Sequence, residues 1–382
     1  MFGFVRALVR QLRKKRFSYT PLIEVLVYKS AILRNLRTFQ ELDKRVAVAP
    51  VLKSNAYGHG LVEVAKTLDG EDLPFFCVDS YFEALILRNE GIRTPILIIG
   101  YTPVATMLEN RLPDVAFGVI GMEELRNLTA LARSSIVIHL KVDTGMHRHG
   151  IAPSELEDAY ALIRANKRIV LEGAYSHLAD ADTPDSTHAA AQIAAWNDVV
   201  LRMRAKMPSV KFFHLAATSG SFYAKKIDAN VMRLGIGLYG INASLGELDL
   251  RPALQMRTRI TSVRTVHAGE SVGYNATFTA TRDMRIATIP AGYAEGVDRR
   301  LSSKGELLVG GLACPIVGRV SMNITSIDVS NIADARVGDE VIVISYDPSA
   351  PNSVEAMARQ CGTIPYELLV HIPAQLRRKV VE

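Results

Sequence analysis

The sequence predicts an α/β protein: a (β/α)8 TIM-like barrel followed by a mostly antiparallel β domain. Three observations carry this expectation. Between residues 46 and 240, short β-branched runs alternate with amphipathic helical patterns, the mark of βαβ units and a parallel sheet. Eight such runs fall within about 200 residues, which favours a closed barrel over an open sheet. After Gly240 the texture changes to short alternating runs punctuated by Gly, Pro and Asp, with few long helical patterns.

Taken in order, strands are expected at 46–52, 75–78, 96–99, 115–119, 136–142, 170–175, 211–215 and 231–238. The intervening helices include 62–68, 81–90, 123–133 and 187–207, each with apolar residues at helical spacing. Gly235 and Gly237 weaken the eighth strand, because glycine loses backbone entropy there and packs no side chain. In the second region, strands are expected at 259–266, 284–289, 307–309, 316–320, 324–329 and 340–345, with a helix at 354–360 and another conceivable over the last residues. The domains read as an extension at 1–19, a barrel at 20–243 and a β domain at 244–382, with the run near 22–28 free to pack with the latter.

Composition bounds the function. The 382 residues are 48% hydrophobic and 22% charged, which excludes a mostly disordered chain. The longest apolar runs fall far short of the ~18 residues of a membrane-spanning helix. Cys77, Cys314 and Cys361 form no C-x-x-C pair, so neither a disulfide framework nor a cysteine zinc site is expected, and a reducing cytoplasmic setting follows. The net charge is +6, yet residues 1–16 hold six basic side chains and no acidic one, leaving 39 basic against 39 acidic residues elsewhere. A neutral body argues against a nucleic-acid enzyme. The extension places Phe4, Val5, Leu8, Val9 and Leu12 on one helical face and Arg6, Arg10 and Arg13 on another. It reads as a helix docked on the body or frayed, with contact to an anionic membrane surface or a targeting presequence as the less favoured alternatives.

Barrel enzymes carry their chemistry at the C-terminal ends of the strands. Those positions hold Lys53, Asn55, Tyr57 and His59 after the first strand, and Asp143, His147, Arg148 and His149 after the fifth. His177 follows the sixth, Thr218 and Ser219 the seventh, and Arg233 lies in the eighth. This cationic, hydroxyl-rich mouth without a carboxylate cluster suits an anionic ligand. Lys53, beside apolar Val51 and Leu52, stands where loss of solvation turns a lysine into a Schiff-base nucleophile. No metal site is expected. His147 and His149 lack a third ligand, and His177, Asp180, Asp182, Asp185 and His188 read as a solvated loop and helix start.

The segment Val51-Leu-Lys-Ser-Asn-Ala-Tyr-Gly-His-Gly60 resembles the pyridoxal-phosphate attachment segment of alanine racemases. Four more stretches resemble that family in its order and spacing: Lys141 to Gly150, Asn230 to Gly240, Val272 to Phe278 and Gly318 to Met322. The resemblance spans residues 20–382. It implies a pyridoxal 5'-phosphate-dependent racemase, a homodimer with shared active sites, that interconverts L- and D-alanine and supplies D-alanine for peptidoglycan. By the same resemblance, Lys53 would hold the cofactor and act as one proton-transfer base. Tyr274 would be the other, contributed to the opposite face by the partner subunit and made effective by a nearby cation such as Arg148. Arg148 would also face the substrate carboxylate, and Met322 would contact substrate across the dimer. Arg233 would hydrogen-bond the pyridine nitrogen with His177 behind it. Tyr57, Thr218, Gly235, Ile236 and Tyr366 match phosphate-binding positions, and Lys141 matches a lysine that is often carbamylated. Three positions depart from the pattern: Ala217 where asparagine is usual, Asn275 where glycine often follows the tyrosine, and Asn323 where an acid usually follows the methionine. An amino-acid decarboxylase of the same architecture would typically carry a Gly-rich phosphate loop and a catalytic cysteine, which Cys314 and Cys361 do not resemble. A lone-barrel cofactor carrier would not need the β domain.

Overall fold

The computed structural model describes residues 20–243 and 245–382, so the amphipathic extension at 1–19 lies outside the described residues. The chain divides into two compact units, one holding the residues up to Glu24 with Met256–Val343, the other Val25–Gln255 with Ile344–Glu382. Residues 344–382, which the sequence texture groups with the β domain, thus cluster with the barrel.

In the larger unit, β1 (Glu24–Tyr28) precedes eight parallel strands. These are β2 (Ala47–Pro50), β3 (Phe76–Val78), β4 (Ile96–Ile98), β5 (Val115–Val119), β6 (Ile136–Lys141), β7 (Ile169–Tyr175), β8 (Phe212–His214) and β9 (Val231–Leu234). Strands β3 to β8 are hydrogen-bonded neighbours in chain order, and β2 pairs with β9, Ala49 opposite Arg233. The circle closes through the Val51–Cys77 bridge on one side. On the other, the Asn230 and Arg233 amides donate to the Phe213 and Ala216 carbonyls. The eighth strand stops at Leu234, where Gly235 turns the chain into a short 3-10 helix, Ile236–Tyr239. This is the strand whose glycines weakened the expectation.

The helices cover the barrel with one apolar face each. Lys29–Leu42 buries Ile32, Leu36 and Phe39, spaced four and three apart so that they share a stripe. Thr187–Lys206 starts at Ser186, whose hydroxyl accepts the Ala189 amide, and buries Ile193, Trp196, Val200 and Met203. Trp196 is fully buried and donates Nε1–H to the Asp228 carbonyl, so it anchors the core as its helical spacing predicts. Inside the barrel, the small residues Ala49, Cys77 and Ala116 belong to an apolar cluster with Leu97 and Phe75, and Phe75 packs against the buried histidines described below.

The smaller unit is antiparallel. In it, β10 (Leu254–Arg259) precedes β11 (Ser262–Val266), β12 (Ser271–Val272), β13 (Phe278–Thr279), β14 (Met284–Ile289), β15 (Glu306–Val309), β16 (Leu312–Pro315), β17 (Thr325–Asp328) and β18 (Glu340–Ile344). Strands β11, β14 and β17 form one sheet, β12 and β13 a ribbon, and β15 pairs with β16 and β18. The expected run 259–266 is broken between β10 and β11, and 316–320 contributes only the Ile316–Ile327 bridge. Residues 354–361 are helical, Pro365–Val370 forms a further helix, and the final residues form β19 (Arg378–Val381), parallel to β1. Among the described residues, no helix is long and apolar enough to cross a membrane.

Candidate active site

A cavity of about 820 Å³ opens at the C-terminal ends of the barrel strands. Of the twelve residues to which the family resemblance gives a role, ten line it: Lys53, Tyr57, Lys141, Arg148, His177, Thr218, Arg233, Gly235, Ile236 and Tyr366. Tyr274 and Met322 belong to the other unit and are exposed, 69% and 56% respectively.

Lys53 opens an unusual turn. Ser54, Asn55, Ala56 and Tyr57 all have left-handed backbone angles, φ between 51° and 56°. Left-handed geometry costs an L-residue roughly 1–2 kcal/mol, so the surroundings must hold the segment there. Glu83 does so from the first turn of helix Tyr81–Asn89, which follows β3, one carboxylate oxygen accepting the Ser54 amide at 2.7 Å and the other the Asp79 amide at 2.8 Å. Asn55 Oδ1 accepts the Leu61 amide, and Arg378 donates twice to the Gly58 carbonyl. Gly58 itself sits at φ +82°, and a Cβ there would lie 2.0 Å from the Leu369 carbonyl oxygen. The helix Pro365–Val370, which carries Tyr366, can therefore pack directly on the turn.

Arg233 crosses the barrel interior, only 4% exposed. Its NH1 donates to His214 Nδ1 and the His214 carbonyl, both at 2.8 Å. Its NH2 reaches the Ser176 carbonyl at 2.6 Å, the Leu215 carbonyl at 3.1 Å and His177 Nδ1 at 3.2 Å. None of these bonds uses Nε. Burial, reinforced by the Arg233 charge, pushes the His177 imidazole down to about 3, so it is neutral and able to accept.

Thr218, Gly235 and Tyr57 form a cradle. Thr218 is buried and its hydroxyl accepts the Gly237 amide at 3.1 Å. A Cβ at Gly235 would come within 2.9 Å of the Tyr57 hydroxyl and 3.9 Å of the Thr218 hydroxyl, so glycine keeps this space open. The Tyr57 ring stands between those of Tyr239 and Tyr366, at 5.1 and 5.9 Å. Burial pushes Tyr366 up to about 12, with the Asp182 charge acting in the same sense, so its hydroxyl keeps its proton as a donor.

On the far wall, β6 ends in Lys141 and leads into a loop stapled by Asp143, whose Oδ1 accepts the amides of Gly145, Met146 and His147. Gly150, at φ +131°, lets the loop return, because a Cβ would strike the Asp143 amide at 2.5 Å. This presents Arg148, exposed, at the rim. Lys141 is buried, and desolvation together with the Arg148 and Arg233 charges lowers it to about 8. His147 pairs with Asp143, and His188 meets the Gly145 carbonyl. Both serve the loop.

Two departures from the family pattern have structural readings. Asn275 has φ 62°, a conformation that glycine adopts freely and asparagine tolerates better than other residues. Asn323 donates to Glu295 Oε1 at 2.6 Å, fixing the residue after Met322. Nothing in the structure explains Ala217.

The chain matches the alanine racemase N-terminal domain over residues 27–243 and the alanine racemase C-terminal domain over 253–380. It is 35% identical over 362 residues to alanine racemase 1 of Caldanaerobacter subterraneus subsp. tengcongensis, covering 93% of each chain. This chain belongs to the alanine racemase family. It is 37% identical to the alanine racemase of Syntrophobacter fumaroxidans, covering 84% of this chain and 87% of that one. It superimposes on a Clostridium difficile alanine racemase with a TM-score of 0.88 at 28% identity, covering 95% of this chain and 97% of that one. A Bacillus anthracis alanine racemase, solved with bound L-Ala-P, gives 0.87 at 30% identity, with 96% of both chains covered. As a member of the family, the chain is an alanine racemase enzyme, with the family's parallel barrel and separate antiparallel domain.

Sequence reasoning passed over several residues that shape this alanine racemase site. Glu83 and Arg378 hold the Lys53 turn, yet each reads as an ordinary helix or strand residue. His139 and His214 lie in the barrel interior with Tyr175 stacked on His214, ring centres 5.2 Å apart. Their signal was available: two fully buried histidines on strands, one of them two residues before Lys141.

Proposed function

We propose that this alanine racemase interconverts L- and D-alanine with pyridoxal 5'-phosphate and two proton-transfer groups, Lys53 and Tyr274, the tyrosine serving the cavity of a partner subunit. The supporting observation is the convergence of ten residues, from Lys53 to Tyr366, on one cavity at the strand ends. The residues fit the cofactor: the cradle that a Gly235 Cβ would fill suits its phosphate, with the Tyr57, Thr218 and Tyr366 hydroxyls and the Gly235 and Ile236 backbone around it. Bound there, pyridoxal phosphate would supply a conjugated sink for the electron pair left when the substrate's Cα–H bond breaks.

Each side chain then has a task. Lys53 would hold the cofactor through its amine, and the same amine would move a proton on one face of the substrate α-carbon. Tyr274 moves a proton on the other, since inversion requires removal and return from opposite sides. The exposure of Tyr274 and Met322 in the single chain is in keeping with residues that act on a neighbour's site. Arg148 neutralises the substrate carboxylate and stands as the cation that assists Tyr274. Arg233 stays protonated, and its Nε, which its protein bonds leave unused, would be the donor available to the cofactor's ring nitrogen. A guanidinium there would keep that nitrogen an acceptor and moderate the electron sink the cofactor supplies. Lys141, lowered to about 8, has a neutral fraction able to react with carbon dioxide, and we assign it as a carbamylated partner of Arg148. The three cysteines are buried and widely separated in sequence, in keeping with a reducing cytoplasm, where D-alanine would feed peptidoglycan.

The test is incubation of holoenzyme with single enantiomers of alanine, serine, lysine and arginine in deuterated water. Alanine is expected to give its opposite enantiomer carrying α-deuterium faster than the others. Amine release would mean decarboxylation, and absence of any product would leave only cofactor binding; either result overturns the proposal.

A further inference from the structure

Arg233 brings a buried positive charge into the barrel, and among the described residues it has no carboxylate ion pair. What it has is a line of imidazoles. Arg233 NH1 lies 2.8 Å from His214 Nδ1, and His214 Nε2 lies 2.9 Å from His139 Nδ1. His139 Nε2 has no hydrogen-bond partner and points to Glu172 Oε2 at 3.7 Å. Glu172 in turn meets Lys211 at 3.4 Å, and its side chain is 27% exposed.

The direction of this line follows from valence. A guanidinium can only donate, so His214 Nδ1 must accept and its proton must sit on Nε2. That Nε2–H donates to His139 Nδ1, which fixes the second proton on His139 Nε2, facing the Glu172 carboxylate. Every N–H therefore points away from Arg233 and toward one negative charge. Burial lowers both imidazoles, His214 strongly, so the neutral form that this pattern needs is the stable one.

Two features of the backbone exist for this line. The β6–β7 register pairs Ile138 with Leu171 and His139 with Gly173, so Glu172 is the extra residue of a β-bulge, a device that re-aims a side chain. Gly173 makes room for the ring: a Cβ there would lie 2.5 Å from His139 Nδ1.

We propose that Arg233 sets both imidazoles as Nε2–H tautomers and that His214, His139 and Glu172, each facing the N–H before it, are positioning residues that hold the Arg233 guanidinium aimed into the cavity. The consequence for the cofactor ring rests on the function proposed above, whereas the tautomer lock does not.

The test uses full-length protein labelled with [15N]histidine, recorded by NMR with and without pyridoxal phosphate, and a cofactor titration read by absorbance. In the unmodified protein, His139 and His214 are expected as neutral Nε2–H rings between pH 6 and 9. Glu172→Leu, at the partly exposed end, removes the carboxylate that His139 Nε2–H faces, so the His139 signals should shift while His214 stays Nε2–H, and cofactor binding should weaken by about fivefold to tenfold, the worth of one hydrogen bond. His139→Leu leaves His214 Nε2–H without its acceptor, so the His214 signal should shift and binding weaken further, and His139→Asn, whose amide oxygen falls near the Nδ1 position, should restore the His214 signal and most of the affinity. A Nδ1–H form of His214 in the unmodified protein would refute the lock. So would a Glu172→Leu protein with unchanged His139 signals and unchanged affinity. Protein that shows the expected tautomers yet binds no pyridoxal phosphate would defeat the functional reading and leave the lock standing.

Discussion

Gly235→Ala separates the phosphate cradle from the rest of the site. The added Cβ would stand 2.9 Å from the Tyr57 hydroxyl, 3.6 Å from its Cζ and 3.9 Å from the Thr218 hydroxyl. Ordinary carbon–oxygen contact needs roughly half an ångström more, and Tyr57 is hemmed in by Tyr239 and Tyr366, so its hydroxyl must leave the position from which it would donate to an anion. A hydrogen bond to a charged group contributes about 1.5–3 kcal/mol, which corresponds to about 10- to 100-fold in dissociation constant. The methyl meets the end of a side chain and not a backbone wall, so the fold should lose about 1 kcal/mol at most. The assay is an absorbance titration of apoenzyme with pyridoxal phosphate and, separately, with pyridoxal. Only the phosphorylated ligand should lose affinity. Equal loss for both ligands, or none for either, would refute the cradle.

Three further outcomes are expected. Gly58→Ala meets the Leu369 carbonyl at 2.0 Å in left-handed backbone, so chemical denaturation should show a loss of about 2–5 kcal/mol and thermal scans a lower midpoint, unlike Gly235→Ala. Lys141 has a folded-state value of about 8 against 10.5 when exposed, so the unfolded chain binds more protons between those pH values. Its contribution therefore disfavours the fold at neutral pH and is relieved as pH rises from 8 to 10.5, by about 3 kcal/mol. Comparing denaturation of the wild type and Lys141→Met across that window, in carbon-dioxide-free buffer, should reveal the difference, and bicarbonate at pH 8 should shrink it. Tyr274→Phe should slow both directions by about 100-fold or more while leaving the cofactor's absorbance and affinity intact; weakened binding would contradict its assignment.

The sequence made the barrel legible because its strands are buried on both faces and stand out as β-branched runs, as at 115–119, where the expected and observed bounds coincide. It was poorer where a residue's neighbours decide its shape. Ser54, Ala56 and Tyr57 have no intrinsic taste for left-handed backbone; Glu83 and Arg378, distant in sequence, impose it. Glu172 looked like any strand glutamate, and only the register between β6 and β7 reveals it as the bulged residue. The grouping of 344–382 with the barrel was hidden for the same reason, since helix Pro365–Val370 and β19 are tied to β1 and to the Lys53 turn by contacts that no local pattern encodes. Conversely, nine of the ten cavity residues came together because each lies at the end of a barrel strand or in the loop that follows it, Tyr366 on helix Pro365–Val370 being the exception.

The clamp of Arg378 on Gly58 spans 320 residues of chain. During synthesis at about 5–20 residues per second, roughly 15–60 s separate the appearance of the lysine-bearing turn from that of the guanidinium that secures it. Tyr366 arrives almost as late. The barrel strands all precede these two residues in synthesis, so the wall of the cavity that Tyr366 supplies and the fastening of the turn come after the barrel's own chain is made. A chain halted anywhere in the antiparallel unit would therefore hold the barrel strands with the Lys53 turn not yet fastened by Arg378.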